Sequence, residues 1–99
     1  MKYGLSEQQL AEIVDILKRY PEVEEAILFG SRAMNTYKDA SDVDIAIKGK
    51  NVNADLASTL QFDLEEDTYL PFFFDVIAYS AINNPALIKH IGSTGSRLI

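Results

Sequence analysis

The 99-residue chain is expected to adopt an α/β fold, and three observations predict it. Apolar residues recur at helical spacing in two stretches, Leu10, Ile13, Val14 and Leu17 and then Leu56, Leu60 and Leu64. Short apolar runs at 26–29, 42–48 and 72–79 have the length of strands rather than helices. The two kinds of segment alternate along the chain as helix, strand, short helix, strand, helix, strand, helix, the order of a sheet with helices packed on it.

Each element has its own start and stop. Ser6 with Gln9 makes a capping-box pattern for a helix over 6–20, Lys18 and Arg19 complement the dipole of its last turn, and Pro21 ends it. Residues 22–25 are an acidic connector. The first strand, 26–29, is short and apolar enough to be central. Gly30 then permits a tight turn, and Ser31 is placed to cap a short helix over 32–37. A polar loop leads to the second strand at 42–48. Asn53 caps a helix over 53–67, whose acidic end Glu65-Glu66-Asp67 opposes the dipole and favours an early stop. The third strand spans 72–79. Asn84-Pro85 starts a last helix, Gly92 ends it, and 93–99 reads as an irregular tail.

Composition narrows the function. Residues 1–99 fit one domain; 47% hydrophobic and 24% charged residues suit a core that needs no staples. With no cysteine there is no disulfide framework, thiolate metal site or cysteine nucleophile, and a reducing cytoplasm is the expected location. No apolar run reaches the length of a membrane span, and the N-terminus lacks a signal peptide's apolar region. The net charge of −6 argues against nucleic acid as a direct ligand, which would need a basic footprint.

The chemistry lies in two adjoining stretches, Leu28-Phe-Gly-Ser-Arg-Ala33 and Ser41-Asp-Val-Asp-Ile-Ala-Ile47. In a strand, Asp42 and Asp44 point to one face while Val43, Ile45 and Ile47 point to the other, toward a core. Paired carboxylates repel unless a cation lies between them. Asp75 interrupts the third strand and needs a partner, a metal or a wet edge position. Gly30-Ser31 alone would more often be a plain strand-to-helix turn, but with the aspartates downstream it reads as a place for a metal-bound phosphate. The only histidine, His90, is expected to be a surface or packing residue. Tyr37 is the best candidate for stacking on a base.

Gly30-Ser31, Asp42-x-Asp44 and the later Asp75 resemble the nucleotidyltransferase superfamily that includes DNA polymerase beta, and most closely its minimal, MntA-like branch. The resemblance covers the chain from the first helix to about Tyr79. It implies a small mixed sheet of about three strands and in-line displacement at the alpha-phosphate of ATP, which is the substrate. Asp42, Asp44 and Asp75 would be catalytic and would hold two Mg2+ ions, with Mn2+ able to substitute. Gly30 and Ser31 would bind the triphosphate, and Arg32 would reach a phosphate or else be an exposed helix residue. One departure stands out: minimal members read Gly-Ser-Arg-Ala-Arg-Gly, whereas here Met34 and Asn35 replace the second Arg and the last Gly.

The resemblance further implies an acceptor brought by a partner, a HEPN-domain ribonuclease toxin modified on a tyrosine hydroxyl, with this chain as the antitoxin. A non-catalytic docking module and an adenylyltransferase acting on a small molecule such as an aminoglycoside are the alternative readings. A homo-oligomer remains open.

Overall fold

In the computed structural model, which describes residues 2–99, the first helix begins where its cap predicts. The Ser6 hydroxyl accepts from the Gln9 amide at 3.1 Å, and the Gln9 side chain accepts from the Ser6 amide at 2.9 Å. Two otherwise orphaned donors are thus satisfied. The elements are α1 (Glu7–Lys18), β1 (Glu25–Phe29), β2 (Val43–Lys48), α2 (Ala54–Glu66), β3 (Phe74–Ala78), α3 (Pro85–Thr94) and β4 (Ser96–Arg97), with a single 3-10 turn, Tyr79–Ala81, after β3. No helix among the described residues is long and apolar enough to cross a membrane.

The four strands form one mixed sheet in the order β3-β2-β1-β4. β1 runs antiparallel to β2 and to β4, whereas β2 and β3 are parallel and joined through α2. Strand alternation divides the chain between two apolar layers. Ala26, Leu28, Val43, Ile45 and Ile47 face α1 and α2, where Ile13, Leu17, Leu60 and Leu64 complete the larger core. Phe29 and Ala46 face the other way and pack on Ile91 of α3, with Ile27, Ile77 and Leu87 around them. Asp44 shares this second face by alternation, so the candidate site opens at the end of the sheet beside α3.

Three expectations change. The segment 93–99 is not an irregular tail. α3 continues past Gly92 to Thr94 and is capped at Gly95, after which Ser96–Arg97 pairs with β1 as a fourth strand. A Cβ on Gly95 would lie 2.6 Å from the Ile27 side chain, so glycine lets the chain pass close under β1. α2 does not stop early, because its acidic end finds partners. Glu65 accepts from the Phe74 amide at 2.7 Å, and Gln61 accepts from the Val76 amide at 3.0 Å. These side chains seal the outward amides of an edge strand that would otherwise invite pairing. Asp67 meets Arg19 at 2.9 Å, tying the end of α1 to the end of α2.

The third change concerns residues 32–37, which form a run of turns and no helix. Met34 N–H reaches Gly30 O, but Asn35 N–H bonds to Arg32 O and Thr36 N–H to Ser31 O, so no helical ladder is established. Asn35 has φ +58°, the left-handed region that stops a helix. This also accounts for the missing glycine of the family pattern, since asparagine is among the few non-glycine residues that enter this region readily. We expect Asn35→Gly to leave the melting temperature unchanged or slightly raised, whereas Asn35→Val lowers stability by about 1–2 kcal/mol. Thermal melts of both variants check this; equal melting temperatures would mean that the turn does not need the left-handed residue.

Candidate functional site

Gly30 follows directly on β1 and has φ +78°, a conformation open to glycine and strained for other residues. It must also be small. A Cβ there would run into the Asp44 carboxylate. Close approach of the turn to β2 thus depends on this one residue.

Beyond it the backbone presents donors. The N–H groups of Ser31, Arg32 and Ala33 and the Ser31 hydroxyl have no acceptor among the described residues. Successive free amides in a turn form a concave anion site without needing a full helix. The donors expected at Gly30-Ser31 are thus presented by a turn and not by the expected helix.

The carboxylates approach from two strands. Asp44 lies opposite Phe29 on β1 and opposite Asp75 on β3. In the parallel ladder the two aspartates share one register position and one face. Asp42, exposed, lies just before β2, outside the strand expected to include it, and close enough for its charge to act on Asp44. Asp75 is exposed on the edge strand, the wet position that was one of its expected settings. No lysine or arginine forms an ion pair with any of the three among the described residues. Burial, and after it the charges of Asp75 and then Asp42, push the Asp44 carboxyl up from 3.8 to about 6.

This set of all-oxygen donors suits a hard divalent cation, and the repulsion on Asp44 is what such a cation relieves. Among the described residues, no three His, Asp or Glu side chains are grouped closely enough to hold an ion, so Asp42, Asp44 and Asp75 are not gathered into the three-ligand set the resemblance implied. Remaining ligands would have to come from water and from phosphate oxygens, which is how magnesium is ordinarily held.

Arg32 differs from expectation. It is only 1% exposed, and its guanidinium faces the protein. Nε and Nη2 donate to Ser41 O at 3.1 and 2.9 Å, Nη1 donates to Tyr3 O at 2.9 Å, and Nη2 also reaches Asp39 O at 3.4 Å. The Tyr37 and Phe72 rings flank it, with centroids 5.3 and 4.7 Å away. Burial lowers the guanidinium pKa, while Tyr37 and the carboxylates of Asp39, Asp42 and Asp44 oppose that shift. Arg32 thus fastens the loop that delivers Asp42: its guanidinium is taken up by backbone carbonyls, and it is not an exposed helix residue. Tyr37, expected as a stacking candidate, has one ring face taken up by Arg32. Met34, in place of the family's second Arg, is 45% exposed.

His90 is half-buried and does pack, edge-on, against Phe29 at 6.3 Å between ring centroids. It also accepts a hydrogen bond from the Gly30 amide at 3.0 Å, across 60 residues of sequence. Nothing in the local sequence signals that contact, because it exists only once α3 lies on the sheet.

A family model described as polymerase beta, nucleotidyltransferase matches residues 11–99. A comparison with curated proteins gives no match. Among solved structures, a chain of a mutant of the toxin-antitoxin MntA-HpeT is similar with a TM-score of 0.76 and 20% identity, over 91% of this chain and 72% of that one. A chain from the complex of tri-AMPylated Shewanella oneidensis HEPN toxin with MNT antitoxin gives a TM-score of 0.73 at 18% identity, over 96% and 72%. A third, from a toxin-antitoxin structure with AMP-PNP, gives 0.73 at 21% identity, over 96% and 73%. These likenesses show the fold, which agrees with the mixed sheet and its flanking helices. With the family model spanning nearly all of the chain, the protein belongs to the polymerase beta-type nucleotidyltransferase family.

Proposed function

We propose that the protein transfers AMP from ATP to a hydroxyl of an acceptor protein, that divalent metal is required, and that the acceptor is a tyrosine of a HEPN-type toxin which this chain silences as its antitoxin. The observation that carries the reading is the Asp44–Asp75 pair at one register of the parallel ladder, directly beside a glycine turn with free amides. The toxin-antitoxin neighbours, one of them with an AMPylated toxin and one with AMP-PNP, support the acceptor and the nucleotide. A reaction that draws on ATP fits the cytoplasm.

The roles follow from position. The Ser31 hydroxyl and the amides of Ser31 to Ala33 bind the triphosphate and hold it against the end of β1. Asp42, Asp44 and Asp75 would hold Mg2+, which when bound neutralises phosphate charge and orients the phosphates. Asp75, exposed at the edge strand, is open to an incoming hydroxyl and accepts its proton. The acceptor oxygen then bonds to the alpha-phosphorus as the bond to pyrophosphate breaks. Phe73, 75% exposed, is two residues before Asp75 and on its face, giving a protein acceptor an apolar surface at the mouth of the site.

The test is transfer of label from alpha-labelled ATP, with Mg2+, into macromolecules of the source lysate, with wild type run beside Asp42→Asn. A labelled protein band that disappears in the variant is the expected result. Label only in small molecules would favour an adenylyltransferase of the aminoglycoside type. No labelling and no ATP binding would leave a docking module as the better account.

A further inference from the structure

We infer that His90 is a positioning residue of the nucleotide site: it fixes the Gly30 amide and through it the turn whose free donors receive the triphosphate. The inference rests on the nucleotidyl-transfer reading and deepens it.

The hydrogen bonds determine which tautomer is present. The Thr94 hydroxyl donates its only proton to His90 O at 2.8 Å. Its oxygen is also 3.0 Å from His90 Nδ1, and because the Gly30 amide can only donate to Nε2, Nδ1 carries the ring proton and the Thr94 oxygen accepts it. Nε2 is then a bare acceptor, which is what the Gly30 amide requires at 3.0 Å. Thr94, His90 and Gly30 form one chain of bonds with every proton accounted for.

The ring is held rigidly. α3 is anchored by Ile91 and Leu87 against Phe29 and Ala46, and the imidazole meets the Phe29 ring edge-on. The peptide it grips is the one that most needs fixing. Gly30 leaves the last paired residue of β1 with φ +78°, and a glycine there has many accessible orientations. Rotation of the 29–30 peptide would redirect the Ser31 amide and hydroxyl that follow. An acceptor built into a packed helix removes that freedom before the nucleotide arrives, so less ordering is required on binding. The imidazole touches the turn and not the reacting atoms. Its role is therefore one of positioning.

The test measures the Kd of Mg-ATP by titration calorimetry for the full chain, with the Gly30 amide resonance followed alongside. His90→Phe keeps a ring against Phe29 but removes the acceptor. We expect binding about tenfold weaker, with a melting temperature within a few degrees of wild type. His90→Gln restores an acceptor and should recover binding to within about threefold, with the Gly30 resonance returning toward its wild-type position. Thr94→Val, at an exposed position, frees Nδ1 and should weaken binding about threefold even if the ring substitution unfolds the chain. Unchanged binding in both His90→Phe and Thr94→Val would overturn the inference. So would tighter binding in His90→Phe, which would make His90 a competitor for the phosphate. Equal loss in His90→Phe and His90→Gln, in step with lost stability, would reduce His90 to packing alone. If wild type binds no Mg-ATP, the transfer reading itself falls and this inference with it.

Discussion

Asp44→Asn is expected to abolish nucleotidyl transfer and, at neutral pH without metal, to raise the melting temperature. The two effects have one origin. Asp44 is half-buried at a register position opposite Asp75, with Asp42 close by, so its negative charge is opposed by burial and by both neighbours. Asparagine keeps the shape and removes the charge. A carboxyl this open is screened by solvent, so the gain is about 1 kcal/mol, or roughly 4–8 °C for a domain of this size. The same charge is what a divalent cation needs, and losing several kcal/mol of stabilisation at the phosphate lowers the rate by about a thousandfold or more.

The pH dependence has a definite sign. The folded-state pKa of about 6 lies above the ordinary 3.8, so the folded protein holds this proton more tightly than the unfolded chain does. The stability contributed by Asp44 is fully present below the lower value and is lost as pH rises through the upper one. The difference in melting temperature between Asp44→Asn and wild type should therefore be small near pH 4 and reach its full size above pH 6. Millimolar Mg2+ should raise the wild-type melting temperature and leave the variant unmoved. If Asp44→Asn instead melts lower than wild type at neutral pH without metal, the carboxylate has a stabilising partner and the repulsion argument fails.

What could be read from the sequence follows the range of the interactions involved. Asp44 faces away from Val43, Ile45 and Ile47, which are buried in the core, because strand periodicity is local. Ser6, Asn53 and Asn84 act as caps within three residues of their targets, and all three do so in the folded chain. The strand Ser96–Arg97 was not legible. It exists only because Leu98 and Ile99 meet the Ala26 backbone some seventy residues earlier, a pairing that no local pattern encodes. The same limit hid the contact of His90 with Gly30. The turn at 32–37 was misread for a different reason: the apparent cap at Ser31 competes with the left-handed Asn35 and with the burial of Arg32, and tertiary burial prevails.

Arg32 carries the largest expected effect on stability. Its side chain joins three backbone carbonyls, those of half-buried Tyr3 and Ser41 and of exposed Asp39, and lies buried between the Tyr37 and Phe72 rings. Arg32→Met fills much of the volume but leaves the carbonyls unmet. We expect a loss of about 3–5 kcal/mol, enough to bring a domain of this size close to unfolding, read as a fall in melting temperature of roughly 15 °C or more. Arg32→Lys should recover less than half of this. A lysine is a point donor that cannot reach Ser41 O through two nitrogens while stacking flat between two rings. Because Ser41 precedes Asp42, both variants should also lose metal-supported nucleotide binding wherever they remain folded. A lysine variant that melts like wild type yet binds Mg-ATP poorly would reverse the assignment, since it would show the guanidinium serving a phosphate and not the loop. With the predicted outcome, the arginine that follows the glycine-serine pair acts on the candidate site through the backbone it holds, by fixing the loop that leads into Asp42.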